Sequence, residues 1–208
     1  MTVSAQDAGY CQIETEPAPS VWLLGALAGL LILKVAVIDS STTLFRCVST
    51  EQRVCGAQAT TNADFVDAPS LRGYTIHTAQ VRPGNQLRLD LYWEGIAAPR
   101  ELSTFIHIRP SAEGQPGNPN TENGMWAEAG TNTPAGILTK EWQPNKLYLD
   151  DYRLTLPADI PPGRYFLEVG WFDDAQGEQV DVVAETLAPD LRILWRSVLL
   201  PDIEVVAP

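Results

Sequence analysis

The sequence predicts an all-β fold, an antiparallel β-sandwich, preceded by a single transmembrane α-helix. Three observations predict it: one continuous apolar run near the N-terminus, strict apolar/polar alternation in several later segments, and Pro/Gly turns between those segments. With 45% hydrophobic and 19% charged residues in a chain of 208, the composition suits one folded, turn-rich domain plus a membrane segment.

The apolar run, Val21 to Ile38, reads VWLLGALAGLLILKVAVI. As a helix it would span about 27 Å at roughly 1.5 Å per residue, close to the hydrocarbon thickness of a bilayer. Asp7, Glu14 and Glu16 precede it and no Lys or Arg does, so it lacks the basic region of a cleaved signal peptide. Cys11 stands before the run instead of ending it, which excludes the lipoprotein pattern. Lys34 lies near one end, where its stem follows the helix and its ammonium reaches the interface, and Trp22 at the other end suits an aromatic belt. Gly25 and Gly29 form a GxxxG pair that lets another helix approach closely. The expected organisation is therefore a flexible tail over 1–20, a transmembrane helix over 21–38, a connector over 39–69 and the sandwich over 70–208.

Residues 86–94, QLRLDLYWE, place Leu87, Leu89, Leu91 and Trp93 on one face of a strand and Arg88, Asp90 and Tyr92 on the other. Pro83-Gly84 just before it favours a type II turn, glycine supplying the positive φ. Residues 102–109 alternate again, Leu102, Thr104, Ile106 and Ile108 opposite Phe105 and His107, and this strand is expected to pair with the first. In LYLDDYRLTL, 147–156, Leu147 and Leu149 share one parity and Tyr152, Leu154 and Leu156 the other, so a bulge is expected near Asp150-Asp151. Residues 164–172 put Tyr165, Leu167, Val169 and Trp171 on one face; DDAQGE, 173–178, reads as a hairpin loop with 179–184 returning. Residues 110–145 read as long loops with one strand near 124–129, and 191–199 and 203–206 as closing strands. Short strands at this spacing suit an immunoglobulin/fibronectin-like sandwich.

A net charge of −12 and a pI near 4.5 repel phosphate backbones, which excludes nucleic acid as a partner. Cys47 and Cys55 are spaced to close a small disulfide loop or to stay as two thiols, with Cys11 left over. His77 and His107 lie in no nucleophile elbow or triad context, so no catalytic residue, enzyme activity or cofactor is expected. Asp150-Asp151 and Asp173-Asp174 do not have EF-hand spacing, and hairpin and bulge chemistry accounts for them without a metal. Tyr92, Phe105 and Phe166, on the outward parity, are the candidate surface contacts, for stacking on a sugar or meeting a protein, although the opposite sheet or the membrane-proximal loops are the expected cover for them.

At LRGYTIHTAQVRPGNQLRLDLYWEG, FIHI and LPADIPPGRYFLEVGWFDDAQGEQV the sequence resembles a β-sandwich module, with its preceding transmembrane helix, found at the C-terminus of large bacterial multi-pass glycosyltransferase-like membrane proteins. The order of LLILKVAVIDSSTTLFR, the GAQ of 56–58 and LRGY matches as well, so the resemblance covers roughly residues 21–185. The helices and acidic catalytic loop of such glycosyltransferases are absent, so their activity is not implied. The resemblance implies a domain on the extracytoplasmic side, and outweighs Arg46 and Arg53, which by the positive-inside rule would place it in the cytoplasm. The expectation is a single-pass, membrane-anchored, non-catalytic envelope module that binds glycan or assists a glycosyltransferase. The alternative is an accessory structural subunit whose helix packs on partner helices while the sandwich caps the assembly. Membrane lipid, membrane protein partners and glycan are the partners expected.

Overall fold

The computed structural model describes residues 21–33, 49–50, 53–97, 100–111, 115–121, 123–189 and 191–207. The chain divides into two units, Met1–Val48 and Ser49–Pro208.

In the first unit helix α1 covers Val21–Leu33. All thirteen residues are apolar or glycine, so no stripe distinguishes a core-facing side, and Leu23 through Ile32 are exposed. This length spans about 20 Å at roughly 1.5 Å per residue. Among the described residues no helix is long and apolar enough to cross a membrane. The rest of the expected span, 34–38 with Lys34, lies outside the described residues, as does the tail over 1–20.

The described residues of the second unit form twelve strands: β1 (Ala59–Phe65), β2 (Ala68–Ile76), β3 (Gln80–Val81), β4 (Gln86–Glu94), β5 (Ser103–Pro110), β6 (Ala127–Thr131), β7 (Leu147–Thr155), β8 (Gly163–Asp173), β9 (Glu178–Gln179), β10 (Val182–Val183), β11 (Arg192–Leu194) and β12 (Ser197–Val205). One sheet has the order β10-β1-β2-β4-β7 and the other β11-β12-β8-β5-β6, with β3 on β12 and β9 on β8. Among the described residues all pairings are antiparallel except β3 with β12. The fold is thus a sandwich of two β-sheets around one core.

Alternation decides which side chains enter that core. Leu87, Leu89, Leu91 and Trp93 of β4, Ile106 and Ile108 of β5, and Tyr165, Leu167, Val169 and Trp171 of β8 are all fully buried. Each such Leu or Ile contributes about 1.5–3 kcal/mol on burial. At one end of the core the rings gather: Trp93 and Trp171 lie 4.5 Å apart, Phe65 meets Trp93 edge-on at 6.0 Å, and Trp142 meets Trp171 edge-on at 5.9 Å. Below the sandwich, Asn85 N–H donates to Arg82 O at 3.1 Å across Pro83-Gly84, and Gly84 has φ +78°, the type II turn that the dipeptide predicts.

Four expectations are corrected. First, β4 and β5 do not pair: β4 lies between β2 and β7 in one sheet and β5 between β8 and β6 in the other, and their apolar faces meet in the core between the sheets. Alternation specifies which face is buried and leaves the neighbour unspecified. Second, β7 has no bulge: it pairs with β4 without a shift from Leu147↔Glu94 to Thr155↔Gln86. Tyr148, Asp150, Tyr152 and Leu154 point inward and Leu149 is 50% exposed. An inward aspartate is tolerated because Tyr152 Oη and Ala135 N–H both donate to its carboxylate. Third, the sandwich begins inside the expected connector. The inward residues of β1 are Thr61, Ala63 and Phe65, two of them too small or polar to register as a strand pattern. Fourth, the return after DDAQGE is split, β9 staying on β8 and β10 moving to β1 in the other sheet.

Candidate functional site

Outward-facing residues of β1, β2 and β4 form a polar ladder. Arg72 donates from Nη1 to Asp64 at 2.7 Å and from Nε to Glu94 at 2.6 Å, and Asn62 Oδ1 also accepts from its guanidinium. Burial works against ionisation of Asp64, but hydrogen bonds from Ser70, Arg72 and Thr186 and the Arg72 charge bring its carboxyl below the usual value. Above this ladder opens a cleft of about 1200 Å³, closed on one side by Ser49, Thr50 and Val54 and on another by Gln143, Asn145 and Lys146. Its walls carry two anions, two cations and three carboxamides, a neutral mixture of donors and acceptors suited to a polyhydroxylated ligand.

The outward face of the second sheet carries a different cluster. Glu168, on β8, accepts from Arg109 Nε at 2.5 Å and from Ser197 Oγ at 2.8 Å, and lies 3.2 Å from His107 Nδ1. Burial raises its proton affinity; the bonds from His107, Arg109 and Ser197 and the Arg109 charge outweigh this and hold the carboxyl down at about 2. Ser197 is fully buried and bonded to the carboxylate, so this serine is not set against His107 as a nucleophile against its base. His77 is on the other sheet's side, 2.8 Å from Asp90. The two histidines thus bond to separate carboxylates, one on each sheet. Among the described residues no group of three His, Cys, Asp or Glu is arranged to hold a metal. Asp173 accepts from Ala175 N–H and Gln176 N–H within its own hairpin and from Arg100 at 2.8 Å.

The expected contact aromatics do not form a platform. Tyr92 is 8% exposed: it lies opposite Gly73 in register, and a Cβ on Gly56 would sit 2.8 Å from its hydroxyl, so residues 54–57 of the connector cover it. Phe105 is also 8% exposed, its ring stacked on His107 at 4.8 Å and lying over Gly170 of the next strand. Phe166 is half-buried, opposite Arg109. Cys55 is disulfide-bonded. Cys47 and Cys11 lie outside the described residues. For Gly25 and Gly29, a Cβ would meet nothing within 4 Å.

Among the described residues, the exposed aromatic is one that alternation passes over. Trp195 sits at the tip of the β11–β12 hairpin, 86% exposed, with φ +60°. LRILWRSVLL reads as one unbroken strand because neither tip residue belongs to the usual turn vocabulary. Its neighbour Arg196 donates to Glu178 at 2.6 Å and to Gln179 O at 2.9 Å, and pairs with Asp181 at 2.7 Å. These groups, with Asp67 and Arg100, line a second cleft of about 200 Å³. No protein-family model matches the chain, and no curated protein matches it.

Proposed function

We propose that the chain is a single-pass, membrane-anchored, non-catalytic module of the cell envelope, an immunoglobulin/fibronectin-like sandwich on the extracytoplasmic side that binds glycan or assists a glycosyltransferase. The observation that carries this reading is helix α1, whose thirteen residues are all apolar or glycine and whose side chains from Leu23 to Ile32 are exposed. Such a surface is unfavourable in water and favourable in lipid or against other apolar helices.

Three further features support it. Strands β2, β4 and β7 oppose β12, β8, β5 and β6, the strand distribution of an immunoglobulin-type Greek key. Tyr165, at the start of β8, donates to Pro161 O at 2.7 Å, as in the tyrosine corner that accompanies that fold. The disulfide at Cys55 suits an oxidising compartment, and the cleft over Arg72 offers polar groups for sugar hydroxyls. The test is fractionation of cells expressing the full chain. Recovery in the membrane pellet after alkaline carbonate, with the sandwich cleaved by protease added outside the cytoplasm, is expected. Recovery in the supernatant without detergent would refute the anchor.

A second reading, an accessory structural subunit, is favoured by the open faces of Gly25 and Gly29. It expects other membrane proteins to co-purify in mild detergent and Gly25→Leu to release them.

A further inference from the structure

We propose that the β11–β12 hairpin is a carbohydrate-binding element in which the Trp195 indole stacks on a sugar ring whose hydroxyls meet the small cleft beside Arg196; this rests on the glycan-binding form of the function above. The hairpin is a two-residue tip, closed by the Leu194↔Ser197 pair. Positive φ falls on Trp195 and not on Arg196, which is the pattern of a II′ turn, where glycine dominates the first tip position. A bulky residue there is a backbone outlier, and this one also leaves its ring in solvent. Trp93, Trp126, Trp142 and Trp171 are all buried. Folding therefore gains nothing from an indole at position 195: glycine would relieve the strain, and no apolar surface would be lost from the core. A residue held against the preference of its backbone and its hydrophobicity points to a use outside the fold.

The surroundings select the ligand. Arg196 is held from three sides, by Glu178, Gln179 O and Asp181, so the tip is mounted on a fixed base. The cleft of about 200 Å³ falls below the usual size of a site for a drug-like molecule and is walled by carboxylates and guanidiniums. A sugar ring has an apolar face for an indole and hydroxyls at its edge for planar charged donors and acceptors. Anionic lipid is disfavoured by the net charge of −12 and by Glu178 and Asp181 beside the tip. A protein interface needs roughly 800 Å² per partner around apolar anchors, whereas the groups flanking this tryptophan are charged.

The test uses the full chain in a detergent without a sugar headgroup, titrated with short neutral gluco-, galacto- and manno-oligosaccharides. Acrylamide quenching of tryptophan emission, in a Trp22→Phe background, reports Trp195, since Trp93, Trp126, Trp142 and Trp171 are buried. Saturable protection by at least one series, in the millimolar range, is expected. Trp195→Gly and Trp195→Asn, both suited to the left-handed backbone, should remove the protection and weaken binding at least about tenfold while Tm stays the same or rises. Four results would overturn the proposal: no oligosaccharide protects; phosphatidylcholine vesicles protect instead; protection grows only with protein concentration; or the variants bind sugar as the parent does. The last two leave the membrane-anchored module intact, and release from the membrane pellet would end that reading without touching the hairpin result.

Discussion

The hydroxyl of Tyr165 donates to the carbonyl oxygen of Pro161, four residues upstream, at 2.7 Å, and ties the start of β8 to the segment that brings the chain across from β7. The ring is fully buried among core residues, and burial pushes its phenol pKa up, so it stays the donor across the neutral range. Tyr165→Phe keeps the ring and deletes only this bond. Urea unfolding should show a loss of about 1–2 kcal/mol with an unchanged m-value. An unaltered midpoint would mean the bond does not hold the crossing.

Glu168 makes a stability prediction with a defined pH window. Its folded value, about 2, lies below the ordinary 4.5, so the ionised carboxylate is favoured by the native state. That stabilisation is present in full above the unfolded value and is lost as pH falls from about 5 through the folded one. The gap corresponds to about 3 kcal/mol. Glu168→Gln should cost about that much at neutral pH and converge with the parent near pH 2, measured by chemical unfolding across the range.

Asp150 works in the opposite sense. Burial raises its pKa, outweighing the hydrogen bonds from Tyr152 and from Ala135 N–H. Its contribution is therefore complete below the unfolded value of 3.8 and is lost as pH rises through the raised folded one. Asp150→Asn keeps an acceptor for Ala135 N–H and a polar partner for Tyr152 without ionising. Relative to the parent it should gain stability as pH rises from about 3 to 7, the reverse of the Glu168 variant. A constant difference across that range would show that Asp150 does not titrate against folding.

These groups also mark what the sequence could and could not reveal. The cores of β4, β5 and β8 were legible because Leu, Ile, Val and Trp alternate there with polar residues, and alternation alone decides burial. β7 was legible as a strand with Tyr152 and Leu154 on its core face, but not its regular register, since Asp150 faces inward without an apolar signature, and β1 was not, since Thr61 and Ala63 do the same. Sheet membership was illegible too: nothing in β4 or β5 encodes that the two strands belong to different sheets. Parity put Tyr92 and Phe105 on the outward side of their strands without saying what would cover them, and the cover is residues 54–57 in one case and packing along the sheet in the other. Trp195 escaped notice because turn residues are recognised by their φ preferences, and this tip defies them.

Phe105 yields the last prediction. On β5 it is flanked in register by two glycines, Gly130 on β6 and Gly170 on β8. A Cβ at Gly170 would come 2.7 Å from Cζ of the Phe105 ring, whereas one at Gly130 would come 2.3 Å from the backbone oxygen of Thr104. A ring can swing away and a paired strand cannot, so the two alanine substitutions should differ. Gly170→Ala is expected to cost about 1 kcal/mol, recovered in part by Phe105→Ala in the same chain, because the double variant removes the clash. Gly130→Ala should cost about 2–3 kcal/mol with no rescue from Phe105→Ala, since β5 and β6 themselves must separate. Equal losses, or rescue of both, would show that the ring does not lie over β8.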